Sequence, residues 1–237
     1  MSKRKPAGTP TRKYERSSNT YDRQQGRNLP GRRILIVCEG AETEPNYFLA
    51  LRNYLKLSLV EVTIEARGGV PISLVEKADQ VAAQRKKDVR SAMTSASSFE
   101  EVWCVFDVEN PYQNPTFAEA VRKADERKYA LAISNPAFEF WYILHFEQTT
   151  RPFSSGSEAK DYLRRQHMPA YHEARSVFSE LIDQTAQAIR HSKAILERHP
   201  QGDQRFPNPS TYVHLLVEEL IAMSPSGREH FAVQSAR

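Results

Sequence analysis

The sequence predicts an α/β fold in which a parallel sheet flanked by helices is followed by a helical C-terminal extension. Two observations lead to this prediction. Short apolar runs of strand length alternate with helical patterns as far as residue 135, and such alternation is typical of parallel sheets with right-handed crossovers. Beyond residue 135 the spacing of apolar residues is almost entirely helical.

The elements can be assigned in order along the chain. The first strand is predicted at about 33–38, and a helix follows from near Glu44, where Pro45 occupies a first-turn position that needs no N–H donor. Asn208 should cap the last helix. The other predicted elements are strands at about 60–66, 101–107 and 129–133, and helices at 71–90, 116–127, 136–147, 156–166, 171–198 and 209–222.

These elements divide the chain into an α/β core at 32–150, a helical extension at 151–223 that packs on the core, and a loose tail at 224–237. Residues 1–31 are rich in basic and small polar residues, a composition that cannot bury a core and predicts a disordered basic arm. Residues 1–33 carry a formal charge of +8, and the rest of the chain carries −4. The arm either contacts nucleic-acid phosphates or is a solubilising tail without a partner.

Composition excludes several classes of protein. No apolar run approaches the ~20 residues of a membrane-spanning helix, so no membrane association is expected. The N-terminal segment has no apolar stretch typical of a secretory signal. The two cysteines, Cys38 and Cys104, fall on predicted buried strands, and free thiols in a reducing cytoplasm are expected.

Acidic residues follow two of the predicted strands. Glu39 ends the first strand, while Asp107 and Glu109 end the strand at 101–107. Ligands bind outside the carboxyl ends of strands in parallel sheets, so these acids should meet at one edge. Clustered carboxylates repel one another unless a cation lies between them, and their oxygens suit Mg²⁺ or Mn²⁺. The sequence therefore predicts a divalent-metal site. The alternative is that each acid only caps or precedes the next helix.

Further residues should lie close to the same edge of the sheet. Glu44 and Glu139 each fall in the first turn of a helix that follows a strand, and both are additional candidate metal ligands. Gly40, Gly68 and Gly69 are candidate substrate-binding positions. Glycines before a helix let backbone amides approach a phosphate, although a tight turn explains the Gly68–Gly69 pair equally well. No Gly-Lys-Ser/Thr follows that pair, so ATP hydrolysis by this chain is not expected.

Four segments resemble the RloB family of prokaryotic proteins. They are CEGAETEPNYF (Cys38 to Phe48), FDVEN (Phe106 to Asn110), SNPAFEFWYILHFE (Ser134 to Glu147) and NPSTYVHLLVEEL (Asn208 to Leu220). The Glu-Gly pair and the later acidic pair also resemble the Toprim fold of topoisomerases, primases and OLD-class nucleases. The Toprim pattern has Asp-x-Asp at the later pair, whereas this chain has Glu109, whose side chain is longer.

The resemblance implies a Toprim-like nuclease of bacterial antiviral defence that depends on Mg²⁺ or Mn²⁺ and cleaves DNA or RNA, including tRNA. It also implies an ABC-type ATPase as partner. Glu39, Asp107 and Glu109 would be the catalytic and metal-binding residues. The alternative is a non-catalytic Toprim-like module that binds nucleic acid or regulates such a complex, because a fold alone does not establish function.

Overall fold

The structure of the chain, a computed structural model, describes residues 32–64, 70–91, 97–108, 116–199 and 205–235. The expected basic arm at 1–31 lies outside these ranges, as do Gly68, Gly69 and Glu109. Predictions that concern those residues therefore remain predictions.

Within the described ranges, the strands form one sheet in the order β2-β1-β3-β4-β5. The first four strands are parallel, and the short β5 pairs antiparallel with the end of β4. Their bounds are β1 Ile34–Cys38, β2 Val60–Ile64, β3 Glu101–Asp107, β4 Ala130–Asn135 and β5 Ser210–Thr211. The mostly parallel sheet, flanked by helices and followed by a helical C-terminal part, confirms the predicted fold class.

The helices described by the structure connect these strands and complete the C-terminal part. They are α1 Thr43–Tyr54, α2 Pro71–Arg90, α3 Phe117–Arg127, α4 Glu139–Ile143, α5 Gly156–Gln166, α6 Phe178–Leu181, α7 Thr185–Arg198, α8 Val213–Met223 and α9 Pro225–Ser235. A 3₁₀ turn at Ile182–Gln184 joins α6 to α7. Across the described residues, we find no helix with the length and apolar character needed to span a membrane.

β1 lies in the middle of the sheet and is buried on both faces, as a continuous apolar strand should be. Cys38 faces the core that also contains Val105, while Val37 faces the core that contains Cys104. Because Val37 is the register partner of Cys104, the two cysteines lie on opposite faces of the sheet. Both thiols are buried and free, which confirms the expectation of unpaired cysteines.

The C-terminal part differs from the continuous helices predicted at 171–198 and 209–222. The first range contains α6, the 3₁₀ turn and α7, and the second begins with β5 before α8. Asn208 therefore does not cap α8. The physical reason is pairing with β4: the hydroxyls of Ser134 and Thr211 lie 2.9 Å apart, and the Tyr212 N–H donates to the Ile133 carbonyl at 2.8 Å.

The predicted loose tail from residue 224 is also wrong, because Pro225–Ser235 form α9. The hydroxyl of Ser224 accepts a hydrogen bond from the backbone N–H of Gly227 at 3.1 Å, which stabilises the first turn. Phe231 is buried in the main hydrophobic core. One anchored aromatic ring and a capped start thus order a segment whose composition is mostly polar.

Candidate active site

The strand order places the ends of β1 and β3 side by side. From β1 the chain moves to β2 on one side, and from β2 it crosses back to β3 on the other side. This reversal leaves a crevice at the carboxyl edge between the two strands, where open α/β sheets bind ligands. Glu39 directly follows β1 and Asp107 ends β3, so the fold brings these two predicted site residues together.

Backbone hydrogen bonds fix the positions of Glu39 and Asp107. The Glu39 N–H donates to the Val105 carbonyl at 3.0 Å, which extends the pairing of β1 and β3 by one residue. Glu39 Oε2 accepts from the backbone N–H of Asp107 at 3.2 Å. Asp107 Oδ2 in turn accepts from the N–H of Phe138, just before α4, at 3.2 Å. The end of β3 is thereby linked to the start of α4.

Glu44, in the first turn of α1, is only 5% exposed. Burial, together with repulsion from Glu139, raises the pKa of Glu44 to about 7, against opposing hydrogen bonds from the backbone at Glu44 and Gly40. A Cβ atom on Gly40 would overlap the Glu44 carboxylate. The glycine that follows Glu39 is therefore needed to leave room for the Glu44 side chain.

Glu139 begins α4 and is 4% exposed. The Tyr171 hydroxyl donates to Glu139 Oε1 at 2.7 Å, and the Lys160 ammonium lies 4.0 Å from the same oxygen. Lys160 also forms an ion pair with Glu173. Burial raises the pKa of Glu139, while Tyr171 and Lys160 act in the opposite direction.

Asp107 lies in the field of three other carboxylates. Burial raises the pKa of Asp107 well above its ordinary value, and repulsion from Glu44, Glu139 and Glu39 raises it further. The hydrogen bond from Phe138 opposes this rise. Side chains from the ends of β1 and β3 and the starts of α1 and α4 therefore form one interacting acidic group.

A cleft of about 670 Å³ opens beside this group. Three carboxylates of its lining, here called the acidic wall, are Glu44, Asp107 and Glu139; Glu39 is not among the lining residues. The part of the lining at the start of α5, here called the serine wall, contains Ser154, Ser155, Gly156, Ser157 and Lys160. The remaining described lining residues are Gly40, Ala41, Glu42, Thr43, Ala137, Phe138 and Glu173.

The serine wall is the capped beginning of α5. The hydroxyl of Ser155 accepts from the Glu158 N–H at 3.2 Å, and Glu158 Oε2 accepts from both the N–H and the hydroxyl of Ser154 at 2.7 Å. This reciprocal arrangement satisfies backbone donors at the helix start. Sequence reasoning identified the helix but missed the wall and Lys160. The only available signal was the serine-rich run before a helix, which a simple cap explains.

The donor chemistry of the acidic wall fits a hard divalent cation, because a cation would relieve the repulsion that raises these pKa values. The described carboxylates, however, do not surround such an ion. Among the residues placed by the structure, no group of three or more His, Cys, Asp or Glu side chains is close enough to hold a metal. Glu109, a predicted ligand, lies outside the described ranges.

Comparison with known families identifies the family of this chain. The family model of RloB-like proteins matches residues 34–220. The chain belongs to the RloB-like family. The match runs from the start of β1 into α8, and it therefore includes the whole cleft of this RloB-like protein as well as the run at 208–211. No curated protein and no solved structure matches the chain.

Proposed function

We propose that this RloB-like protein is a metal-dependent nuclease that hydrolyses phosphodiester bonds of DNA or RNA. The observation that carries the proposal is the convergence of Glu39, Glu44, Asp107 and Glu139 at the crevice between β1 and β3, where burial and mutual repulsion raise the pKa values of three of them. Carboxylates whose pKa values are raised in this way are typical of functional sites rather than of surfaces selected for stability alone.

The roles follow from the positions of the side chains. Asp107 would hold Mg²⁺ or Mn²⁺ together with one neighbouring carboxylate, Glu44 or Glu139, and Glu109 remains a predicted further ligand. Bound there, the metal would polarise a phosphate and make a water molecule more acidic. With Glu139 as the second ligand, Glu44, whose pKa is about 7, can accept or release a proton near neutral pH. Glu44 therefore suits acid–base chemistry better than Glu39, whose Oε2 is bonded to the Asp107 N–H.

The serine wall supplies a positive charge and hydroxyl donors, which the acidic wall lacks. Lys160 adds a positive charge to the lining of the cleft, with its ammonium 4.0 Å from Glu139 Oε1, and Ser157 adds a hydroxyl at the first turn of α5. A nucleic-acid backbone is a polyanion whose affinity depends on such phosphate contacts. We assign these two residues to holding the phosphate that flanks the bond to be cleaved.

The resemblance of the chain extends the proposal to its biological setting. It implies that the nuclease is an effector of prokaryotic antiviral defence and that an ABC-type ATPase controls it. The free cysteines favour action in the reducing cytoplasm. An effector under such control would be inactive when isolated. Assays therefore need the protein both alone and together with the ATPase, each with DNA and RNA, including tRNA, as substrates.

The test compares the wild-type protein with Asp107→Asn and with Asp125→Asn. Asp125 is a surface carboxylate paired with Arg205 and serves as the control. We expect Asp107→Asn to lower the cleavage rate on the order of 10²–10³-fold, as loss of one group that stabilises transition-state charge does. Calorimetry should show weaker Mg²⁺ binding in this variant only. Equal cleavage by the wild type and Asp107→Asn at equal metal concentration would exclude the proposed mechanism.

A non-catalytic nucleic-acid-binding module is the second candidate, and one observation favours it. All four carboxylates already accept hydrogen bonds from the protein, among them those from the Asp107 N–H to Glu39 and from the Tyr171 hydroxyl to Glu139. Acids held in this way can serve a structural purpose without any metal. Nucleic-acid binding without Mg²⁺ or Mn²⁺ binding, and without cleavage when the ATPase is present, would favour this function over the nuclease.

A further inference from the structure

The Asn-Pro-Ser-Thr run at 208–211 has no role in the site described above. It belongs to the segments that carry the family resemblance, and helix capping does not explain it, since α8 begins only at Val213. Of the described residues that line the cleft, none comes from this run. Its contacts nevertheless reach both sides of the cleft.

One end of the run is attached to the strand beside Asp107. The hydroxyl of Thr211 lies 2.9 Å from that of Ser134, and both side chains are buried. Ser134 is the register partner of Asp107 in the β3–β4 pair. The Tyr212 N–H also donates to the Ile133 carbonyl at 2.8 Å. The run is thus fixed relative to the acidic wall.

The other end of the run holds the residue just before the serine wall. Asn208 Oδ1 accepts from the backbone N–H of Phe153 at 3.1 Å, and Asn208 Nδ2 donates to the Phe153 carbonyl at 2.7 Å. One side-chain amide therefore pairs with both backbone groups of a single residue, as a neighbouring strand would. Phe153 is 1% exposed and packs against the rings of Phe140 and Tyr162, so the position it holds is well defined.

The serine wall also meets the acidic side of the cleft directly. A Cβ atom on Gly156 would lie 3.0 Å from the Cβ of Ala137, a residue that lines the cleft just before α4. A side chain at position 156 would therefore crowd Ala137, and glycine lets the start of α5 lie this close to α4. Asn208 holds the neighbouring chain in place, because its two hydrogen bonds fix the backbone at Phe153.

We infer that Asn208 is a positioning residue, which sets the distance between the serine wall and the acidic wall by holding Phe153. The inference rests on the proposed function for the nature of the substrate, a nucleic-acid phosphodiester. Asn208 acts without touching the substrate. An aspartate cannot replace it, because a carboxylate has no N–H for the Phe153 carbonyl and would place an acceptor against an acceptor.

The first experiment is hydrogen exchange on the full chain, and it needs no catalysis. We compare the wild type with Asn208→Ala, Asn208→Asp and Ser192→Ala. Ser192 is the control because its buried hydroxyl donates to the Thr211 carbonyl at 2.8 Å, so its loss loosens the same run without touching Phe153. Loss of both hydrogen bonds in Asn208→Ala, and of the bond to the Phe153 carbonyl in Asn208→Asp, should speed amide exchange in residues 149–158 about tenfold, with no change in β3.

Two results would overturn the inference. One is exchange at 149–158 equal to the wild type in both Asn208 variants. The other is equally fast exchange at 149–158 in Ser192→Ala, since general loosening would then explain the effect. If Asn208→Ala does not fold, Asn208→Asp carries the test, because it keeps the acceptor for the Phe153 N–H and loses only the donor.

The second experiment separates binding from chemistry in the cleavage assay. A displaced serine wall should raise the KM for nucleic acid about tenfold in Asn208→Asp, with a smaller change in kcat and with Mg²⁺ affinity by calorimetry unchanged. Wild-type KM and kcat in that variant would contradict the inference. If the wild type itself cleaves nothing with its ATPase present, the proposed function fails, and hydrogen exchange still decides whether Asn208 holds the wall.

Discussion

The acidic wall and the serine wall line one cleft, but they are built in opposite ways. The acidic wall comes from strand ends and first helical turns; Glu44 and Glu139 are buried, Asp107 is partly buried, and the carboxylates repel one another. The serine wall is a capped helix start, partly exposed and held from outside through Asn208. The first wall is set by the sheet, while the second depends on contacts between distant parts of the chain.

Because of this difference, the two walls suit two different tasks. Buried like charges are poorly solvated and store unfavourable energy that a cation can relieve, so the acidic wall suits metal binding and chemistry. A polyanion cannot approach that wall without a counter-charge. The serine wall, with Lys160, provides the donors to which the proposed function assigns the phosphate. Variants that alter one wall at a time should therefore have different signatures.

The largest expected effect is a pH dependence of stability that comes from the acidic wall. The pKa of Glu44 rises from 4.5 to about 7 on folding, so the folded state binds more protons than the unfolded state. Its contribution is present in full below about pH 4.5 and is lost as the pH rises through 7, a difference of roughly 3 kcal/mol. The pKa values of Asp107 and Glu139 change in the same direction.

Denaturant unfolding in EDTA between pH 5 and pH 8 measures this effect. The stability of the wild type relative to Glu44→Gln should fall as the pH rises, because Glu44→Gln lacks the titrating carboxyl group. The difference between the two proteins is the measure, since burial lowers the pKa of His145 to about 4 and so stabilises both as the pH rises. Asp125→Asn is the control: Arg205 lowers the pKa of Asp125, so its contribution is constant across this range. The same difference between the wild type and Glu44→Gln at pH 5 and pH 8 would show that the pKa of Glu44 is not raised.

A smaller effect is expected from Gly40→Ala, which crowds the same wall without removing a charge. The new methyl group overlaps the Glu44 carboxylate, and overpacking of this kind costs about 1–3 kcal/mol. Unfolding free energies of Gly40→Ala, Glu44→Ala and the double variant form a thermodynamic cycle. The double variant should recover most of the cost of Gly40→Ala, because the overlapping carboxylate is gone. Strict additivity would contradict the close contact.

The smallest effect is expected from Lys160→Met, which removes the positive charge of the serine wall and its contact with Glu139. Loss of one phosphate contact should weaken nucleic-acid binding several-fold and reduce the slope of log K against log salt by about one. Fluorescence anisotropy with Ca²⁺ in place of Mg²⁺ measures binding without turnover. Lys193→Met, which breaks a surface pair with Glu218, is the matched control. Equal salt slopes for the two variants would remove Lys160 from the binding site.

The comparison of the walls also explains what the sequence could predict of the fold. β1 and β3 were predictable because each is a continuous apolar run that must be buried on both faces. β5 was not, because two residues have no periodicity and their strand conformation depends on pairing with Ser134 and Asn135. α9 was missed for a similar reason: its burial depends on Phe231 reaching a core made by other helices.

The candidate site likewise contains some residues that the sequence could predict and others that it could not. Glu39 and Asp107 could be placed together because both end strands of one sheet edge. Glu44 lies closer to the centre of the cleft than its sequence position suggested, since the Glu-Gly pair leaves space for it. Lys160 could not be found, because a lysine within a charged helix has no local sign of its partners. Glu109 remains a prediction.

The order of residues along the chain determines when each wall can form during synthesis. The acidic wall is complete in sequence by Glu139, whereas the residue that holds Phe153 is Asn208. Synthesis proceeds at roughly 5–20 residues per second, so Asn208 is made roughly 3–14 s after Glu139. During that interval the nascent chain has its carboxylates without a fixed serine wall beside them, and a competent cleft arises only late in synthesis.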